Sequence, residues 1–125
     1  ITLVGRLDRI DRCSDRALMV MDYKTENLAT TRARIKIPTE DTQLAFYAAL
    51  MPDDTLRAAY VYVGETDGTR DVEQADVVVV RDLLIDGLLH DMARIAEGAA
   101  LPALGEATVC EYCAARGLCR KDSWA

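Results

Sequence analysis

Two aspartates and a lysine near the start of the chain are of the types that act together on a phosphodiester. Asp8 comes first, and Asp22 and Lys24 belong to the triplet Asp-Tyr-Lys that ends an apolar stretch. Two carboxylates can hold Mg²⁺, whose charge stabilises a phosphate under attack and lowers the pKa of a bound water. A lysine ammonium is a point charge that can orient that water or neutralise the scissile phosphate. These three residues are therefore candidate metal-binding and catalytic residues.

The surrounding pattern predicts a hairpin that carries all three residues. Side chains alternate across a strand, so a loop with an odd number of residues places Asp8, Asp22 and Lys24 on one face. A two-residue loop would divide them between the two faces. On the shared face the aspartates lie opposite or diagonal, roughly 5 to 8 Å apart at the backbone. The predicted strands are residues 1–12 and 16–25, around a turn at residues 13–15.

Helices and strands alternate in the rest of the chain, which predicts an α/β fold. Thr39 is a plausible helix N-cap, with Glu40 and Asp41 at the positive end of the helix dipole and Pro52 ending the helix. Four consecutive valines are typical of a strand in the centre of a sheet. The predicted elements are an unstructured loop over residues 26–37, a helix over 39–51, strands over 58–63 and 75–80, and a helix over 81–97.

The last predicted helix carries an apolar stripe and a polar face. Leu84, Leu88 and Ile95 recur at helical spacing, and Gly98 follows as a terminator. His90, the only histidine, lies on the opposite, charged face. We expect it to be an ordinary surface residue.

Composition narrows the classes of protein that the chain can represent. The formal charge of −6 argues against a domain that holds nucleic acid mainly by neutralising many phosphates. It does not exclude a metal-dependent nuclease, because carboxylates that recruit cations are themselves acidic. The longest apolar run, residues 44–51, is shorter than the roughly 18 to 20 residues that cross a membrane. Because the chain opens without an initiator Met, we expect it to be one domain excised from a longer protein.

Three of the four cysteines are crowded near the end of the chain. Cys110, Cys113 and Cys119 have C-x2-C-x5-C spacing, which indicates a metal site in a reducing compartment. An iron–sulfur cluster usually needs four thiolates. Zinc is the alternative, and three cysteines could hold it together with a fourth ligand of another kind. The only histidine, His90, lies on the preceding helix. Cys13, in the predicted hairpin turn, is expected to be an incidental free thiol.

Four segments resemble, in order, the motifs of a known enzyme family. GRLDRID from Gly5, VMDYKT from Val20 and QLAFYA from Gln43 resemble successive motifs of the PD-(D/E)XK nuclease superfamily, in its RecB-like branch. The final CEYCAARGLC resembles the iron–sulfur knuckle of the nuclease domain in the AddB subunit of AddAB helicase-nucleases. It is also similar to the knuckle of the CRISPR adaptation nucleases. The matches are spread over most of the chain.

The resemblance implies a role for each residue that matches a motif. Asp8 and Asp22 become ligands of Mg²⁺ or Mn²⁺, with the backbone carbonyl of Tyr23 as a further ligand and Lys24 as the catalytic lysine.

Gln43 and Tyr47 match the family's Q-x3-Y motif. Their spacing of four puts them on one helical face, where they could contact the DNA backbone or support the metal site. Without the resemblance they would be interpreted as a surface amide and a core aromatic.

The resemblance also implies a fold and a cluster. We expect a restriction-endonuclease-like mixed sheet flanked by helices, with the nuclease core over residues 1–101 and a cysteine knuckle over 102–125. Cys110, Cys113 and Cys119 match three of the four ligands of a [4Fe-4S] cluster. Cys13 is not at the place of the remaining one, so we expect the fourth cysteine, and the N-terminal helix of the fold, outside this sequence.

The function that the resemblance implies is an exonuclease domain of a double-strand-break repair helicase-nuclease. It would be cytoplasmic, act on single-stranded DNA and have a helicase/nuclease partner subunit. One alternative is a catalytically silent scaffold in the same kind of complex, against which the intact Asp8, Asp22 and Lys24 set argues. The other alternative is a nuclease of CRISPR adaptation. The sequence leaves open the strand polarity and the choice between exonuclease and endonuclease.

Overall fold

The described residues form a four-stranded sheet with helices packed against it. A computed structural model describes residues 2–37, 39–64, 68–100 and 110–119. The chain divides into two compact units, Ile1–His90 and Asp91–Ala125. None of the helices in the described ranges has the length and apolar character needed to cross a membrane. The elements are β1 (Arg9–Arg12), β2 (Leu18–Lys24), α1 (Leu28–Arg34), α2 (Gln43–Ala49), β3 (Arg57–Gly64), β4 (Gly68–Glu73), α3 (Val77–Ala96) and α4 (Arg116–Cys119).

The sheet order is β1-β2-β3-β4, with mixed strand directions. Strands β2 and β3 are parallel, while β1 and β4 run antiparallel to their neighbours. Because parallel strands need a crossover connection, the chain passes through α1 and α2 between β2 and β3. This mixed α/β architecture is compatible with the predicted nuclease fold. The central core cluster consists of Val20, Leu44, Ala48, Leu56, Ala58, Tyr60, Val72 and Val77.

The predicted hairpin is confirmed, with a shorter first strand. β1 pairs with β2 from Arg9↔Met21 to Arg12↔Leu18, and the loop of residues 13–17 has an odd number of residues. Residues 2–8 are not part of a strand, so the prediction of a strand before Arg9 is wrong for them, and residue 1 lies outside the described ranges. This segment instead lies close to the end of α2. A Cβ atom on Gly5 would lie 2.7 Å from Cδ1 of Leu50.

Helix α1 occupies the segment for which the sequence predicted no structure. The side-chain oxygen of Asn27 accepts a hydrogen bond from the backbone N–H of Thr30 at 2.8 Å, which caps the helix N-terminus. Thr31 is fully buried, and Arg32 and Arg34 lie in the last turn, where cations suit the helix dipole. The segment lacks an apolar stripe, and its helix depends on this cap and on tertiary contacts.

Helix α2 begins later than predicted. The predicted start at Thr39 is wrong, since the helix begins at Gln43 and Thr42 precedes it without a side-chain capping bond. Asp41 accepts a bond from the backbone N–H of Gln43 at 3.3 Å, but its carboxylate also binds Tyr60 and Arg34. Those tertiary bonds hold Asp41 outside the helix.

The four consecutive valines begin a helix, so the predicted strand over residues 75–80 is wrong. Val77 and Val80 are buried whereas Val79 is 61% exposed, and a spacing of three residues suits one face of a helix. The strand beside β3 is instead β4, in which Val72 is the only buried residue. Its polar, edge-strand sequence lacks the alternation that predicts a strand.

The predicted helix over residues 81–97 is confirmed, although α3 begins earlier, at Val77. It extends to Ala96, and Gly98 follows with a φ of 88°, a conformation that favours glycine after a helix. His90 is exposed, as expected of a surface residue. Leu88 and Ile95, from the predicted apolar stripe, are 38% and 37% exposed.

The cap at Asn27 generates a test of how α1 is stabilised. We expect Asn27→Ala to lower the free energy of unfolding by about 0.5 to 2 kcal/mol, because the backbone N–H of Thr30 loses its acceptor. Asn27→Asp keeps an acceptor and should stay near the wild type. Urea unfolding of the three proteins measures the difference. Equal stability of the alanine variant and the wild type would show that α1 does not depend on this cap.

Candidate active site

The candidate site lies at the end of β2. Asp22 shares the α2-facing side of the strand with Val20, because side chains two residues apart point the same way. Asp22 is 4% exposed, and its Oδ2 lies 2.7 Å from Nζ of Lys24. The ammonium is itself largely buried, with 16% of the side chain exposed. The end of this strand therefore carries a desolvated ion pair, which is costly unless further polar groups surround it.

Helix α2 supplies those polar groups. Gln43 Nε2 donates to Asp22 Oδ1 at 2.8 Å, and Gln43 Oε1 accepts from Lys24 Nζ at 2.7 Å. The amide thus bridges the carboxylate and the ammonium. One turn further on, the Tyr47 hydroxyl lies 3.0 Å from Gln43 Nε2 and donates to Asp22 Oδ1 at 3.4 Å. The structure brings Asp22, Lys24, Gln43 and Tyr47 into one hydrogen-bonded cluster.

One oxygen of Asp22 remains without a hydrogen bond. Oδ2 is buried and is near Lys24 only as an ion-pair contact, and none of the residues in the described ranges donates a hydrogen bond to it. The 2.7 Å ion pair with Lys24 offsets the burial of this oxygen, whose other lone pairs receive no donor from the described residues. A carboxylate oxygen of this kind is a suitable ligand for a hard cation such as Mg²⁺ or Mn²⁺.

Asp8 lies beside this cluster. Extending the hairpin register by one pair beyond Arg9↔Met21 places Asp8 opposite Asp22. The exposed carboxylate of Asp8 accepts a hydrogen bond from the backbone N–H of Tyr23 at 3.1 Å. In the parts of the chain that are described, no three His, Cys, Asp or Glu side chains form a group able to hold a metal ion. A cation here would thus use the two aspartates together with main-chain or water oxygens.

A second network, which the sequence did not predict, adjoins the first. The ring of Tyr60 lies with its centroid 4.9 Å from Lys24 Nζ, and its hydroxyl donates to Asp41 at 2.5 Å. Arg34 donates to the other oxygen of Asp41 at 2.6 Å and binds both oxygens of Glu26 at 2.6 and 2.7 Å. The sequence placed Arg34 and Glu26 in a loop and assigned Asp41 to a helix dipole. Of these four residues, only Tyr60 was assigned to the strand or helix in which it lies, through the strand predicted over residues 58–63.

Charge in the second network is set by its hydrogen bonds. Burial raises the pKa of the Tyr60 phenol, and the bond to Asp41 raises it further, so the group stays protonated. Burial also raises the pKa of Asp41, but the bonds from Tyr60 and Arg34 outweigh this and lower it overall. The bond from Arg34 lowers the pKa of Glu26. Both carboxylates are therefore ionised at neutral pH.

Open space adjoins the α2 side of the cluster. A cavity of about 660 Å³ is lined by Arg34, Asp41 and Gln43 together with apolar side chains. The buried cluster is thus next to volume that a ligand could enter. The apolar lining residues include Leu3, Ile37, Phe46, Leu84 and Leu88.

The predicted cysteine knuckle falls only in part within the described residues. Cys110, Cys113 and Cys119 are free thiols in residues 110–119, and α4 ends at Cys119. They are partly or fully exposed, and within this segment the three thiols are not gathered into a group that could hold an ion. This arrangement does not fit a cluster as it stands. Cys13, in the hairpin loop, is also a free thiol; the remainder of 102–125 lies outside the described ranges.

Comparison with known proteins gives one match. The family model of the PD-(D/E)XK nuclease superfamily matches residues 1–120. The curated proteins and the solved structures give no match. The matched range contains both hydrogen-bonded networks and the three C-terminal cysteines.

The contact between Glu26 and Arg34 predicts how stability depends on pH. The bond from Arg34 lowers the pKa of Glu26 in the folded state. The contribution of Glu26 to the free energy of unfolding is therefore complete above the unfolded-state pKa of about 4.3, and it is lost as the pH falls through the lower folded-state pKa. Glu26→Gln should therefore cost about 1 kcal/mol at pH 7 and flatten the loss of stability below about pH 4.5. Urea unfolding between pH 7 and 3 tests this. The exposed Glu40, as Glu40→Gln, is the control; identical pH slopes for wild type and Glu26→Gln would contradict the prediction.

Proposed function

The chain belongs to the PD-(D/E)XK nuclease superfamily, and from this we propose that it is a metal-dependent deoxyribonuclease with its active site at Asp8, Asp22 and Lys24. The superfamily is made up of nucleases, which are hydrolytic enzymes. The single observation that carries the proposal is the buried Asp22–Lys24 pair, bridged by Gln43 and carrying an oxygen without a hydrogen bond. A pair of this kind is a weak source of stability, whereas it is typical of a site that binds a charged reactant.

The donor set of the site fits a hard divalent cation. Nucleases of this superfamily typically use Mg²⁺ or Mn²⁺, and the residues that would hold the ion are Asp8, Asp22 and the backbone carbonyl of Tyr23. All three donate oxygen, as these cations prefer. When bound, the ion supplies positive charge against the phosphate and makes a coordinated water more acidic.

Lys24 is the proposed catalytic lysine. Its ammonium is held between Asp22 Oδ2 and Gln43 Oε1, each at 2.7 Å, so its charge is fixed in place before substrate arrives. A fixed point charge in a site with little water stabilises negative charge that develops on the phosphate, at little reorganisation cost. The same ammonium can donate a hydrogen bond that orients the attacking water. Electrostatic stabilisation and orientation are therefore its two roles.

Gln43 and Tyr47 are proposed to support this site, rather than to contact the DNA backbone. The polar atoms of Gln43 are engaged with Asp22, Lys24 and Tyr47 inside the cluster. This use favours a role in holding the carboxylate and ammonium at fixed positions. Contact with a phosphate would require the amide to give up those bonds.

The wider role follows from the motifs rather than from the fold. We propose that the substrate is single-stranded DNA and that the chain is the exonuclease domain of a cytoplasmic double-strand-break repair helicase-nuclease, with a helicase/nuclease partner subunit. Support comes from the resemblance to the RecB-like branch and the AddB subunit. The net charge of −6 fits a domain to which DNA is delivered by basic surfaces of a partner.

The cysteine segment belongs to the same proposal. We propose that Cys110, Cys113 and Cys119 bind a [4Fe-4S] cluster with a fourth thiolate from outside this sequence. The spacing and the resemblance support this, while residues 110–119 would have to rearrange for their thiols to converge. Cluster binding and local folding are coupled, so the thiols are expected to converge when the cluster binds.

Isosteric substitution of the aspartates tests the enzyme proposal. We expect Asp22→Asn and Asp8→Asn each to lower Mg²⁺-dependent cleavage of single-stranded DNA by about 10³-fold or more, because each removes a charged metal ligand. Titration with Mn²⁺, followed by electron paramagnetic resonance, should show weakened binding in both variants.

The control for these variants is Asp11→Asn, which removes a carboxylate from the opposite face of the same hairpin, where Asp11 pairs with Arg9. It should cleave like the wild type. Wild-type cleavage by Asp8→Asn or Asp22→Asn would reject the site, and a wild-type protein with no cleavage would favour the silent scaffold.

The cluster proposal predicts a spectroscopic signature. Anaerobically purified protein that includes the fourth ligand should contain iron and absorb near about 400 nm, from thiolate-to-iron charge transfer. Cys113→Ser should lose both the iron and the band, while Cys13→Ser should keep them. Stoichiometric zinc without iron in the wild type would contradict this assignment.

A further inference from the structure

We propose that Tyr60 is a positioning residue for the ammonium of Lys24, and that Asp41, Arg34 and Glu26 hold Tyr60 in place for that task. The inference rests on the proposed function, since it assigns a residue that acts through the catalytic lysine. It goes beyond the motifs, because Tyr60, Asp41, Arg34 and Glu26 lie outside every segment that matched one.

The ammonium of Lys24 is held by groups of two kinds. Asp22 and Gln43 each place an oxygen 2.7 Å from Nζ, and the Tyr60 ring lies with its centroid 4.9 Å from the same atom. A cation within about 6 Å of an aromatic centroid is attracted by the ring quadrupole, and more strongly when it is shielded from water. With 16% of the side chain exposed, Lys24 is so shielded. The ring therefore adds a contact that the two oxygens alone do not supply.

Tyr60 itself has little freedom to move. It is 1% exposed, and in the central strand β3 it pairs with Asp22 on one side and with Val72 on the other. Its hydroxyl donates to Asp41, so tilting of the ring away from Asp41 would break that bond. A second cation, the Arg34 guanidinium, lies 5.7 Å from the ring centroid. The position of the ring is thus restricted by its burial, by the bond at its hydroxyl and by the cation near its face.

The groups that hold Tyr60 are tied to one another. Arg34 donates to Asp41 and also binds Glu26 through two hydrogen bonds. Thr31, fully buried in α1, donates to Glu26 at 3.2 Å. These bonds connect the end of β2, helix α1 and the start of α2 to the ring. A leucine would fill only part of this volume, and it has neither a ring face to attract the cation nor a hydroxyl to bind Asp41.

Positioning matters because the lysine stem is flexible. Its four methylene groups allow many rotamers, whereas stabilisation of a phosphate requires the charge at one place. Loss of the ring should consequently lower kcat more than it raises KM, because substrate binding does not require the ammonium to be held at that place.

Kinetics of three variants test the inference. Tyr60→Leu should lower kcat about 10- to 100-fold with KM changed less than about threefold. Tyr60→Phe keeps the ring but loses the hydrogen bond to Asp41, so its kcat should lie between those of the wild type and Tyr60→Leu, within about tenfold of the wild type. Val72→Ala is the matched control: it weakens the same core beside Tyr60, and its kcat should stay at the wild-type value.

A second measurement does not depend on activity. In protein with ¹⁵N-labelled lysine, the side-chain resonance of Lys24 should carry a ring-current shift in the wild type, keep part of it in Tyr60→Phe, and lose it in Tyr60→Leu. If the leucine variant does not fold, Asp41→Asn replaces it. That variant should reduce the ring-current shift and lower kcat about three- to tenfold at unchanged KM.

Three results would overturn the inference: wild-type kcat in folded Tyr60→Leu, a loss confined to KM, or a Lys24 resonance that the loss of the ring does not move. If Asp41→Asn is used instead, a wild-type kcat together with an unchanged Lys24 resonance would also overturn the inference. A wild-type protein without metal-dependent cleavage, or a Lys24→Ala variant with normal cleavage, would instead reject the proposed function. The resonance comparison would then still decide whether Tyr60 places the ammonium.

Discussion

A carboxylate and an ammonium that lie almost entirely out of water constrain this fold. Asp22 and Lys24 occupy the end of a strand whose preceding residues are apolar, and removing both charges from water carries a large desolvation cost. That cost is tolerable only if polar groups surround the pair, and Gln43, Tyr47 and the Tyr60 ring do so. Helix α2 and strand β3 are therefore required next to β2 for the pair as well as for the core.

The sheet topology makes this arrangement possible. Because β2 and β3 are parallel, the chain has to return across the sheet between them, and α1 and α2 are the crossover. The start of α2 thereby lies beside the end of β2, where Gln43 bridges Asp22 and Lys24. An antiparallel hairpin in place of this crossover would need only a short turn and would provide no helix at that place.

The two polar networks differ in how their charged groups are paired. In the first, Asp22 Oδ2 contacts the Lys24 ammonium but accepts no hydrogen bond from the described residues, so it can still bind a ligand. In the second, around Tyr60, Arg34 forms ion pairs with both Glu26 and Asp41. Such paired charges beside the candidate site suit a rigid support, because a support has to remain ordered.

Patterns within a few residues were enough to predict which side chains of the candidate site share a face. Alternation along two short strands predicted that Asp8, Asp22 and Lys24 share a face, and a spacing of four placed Gln43 and Tyr47 together on a helix. The structure alone decided the surroundings of these groups, because they depend on pairs distant in sequence: Gln43 meets Asp22 across 21 residues and Tyr60 meets Asp41 across 19. The same reason explains the errors at α1 and at the four valines. Local propensity was weak or pointed to a strand, and burial against the sheet, through Thr31 in one case and through Val77 and Val80 in the other, favoured a helix.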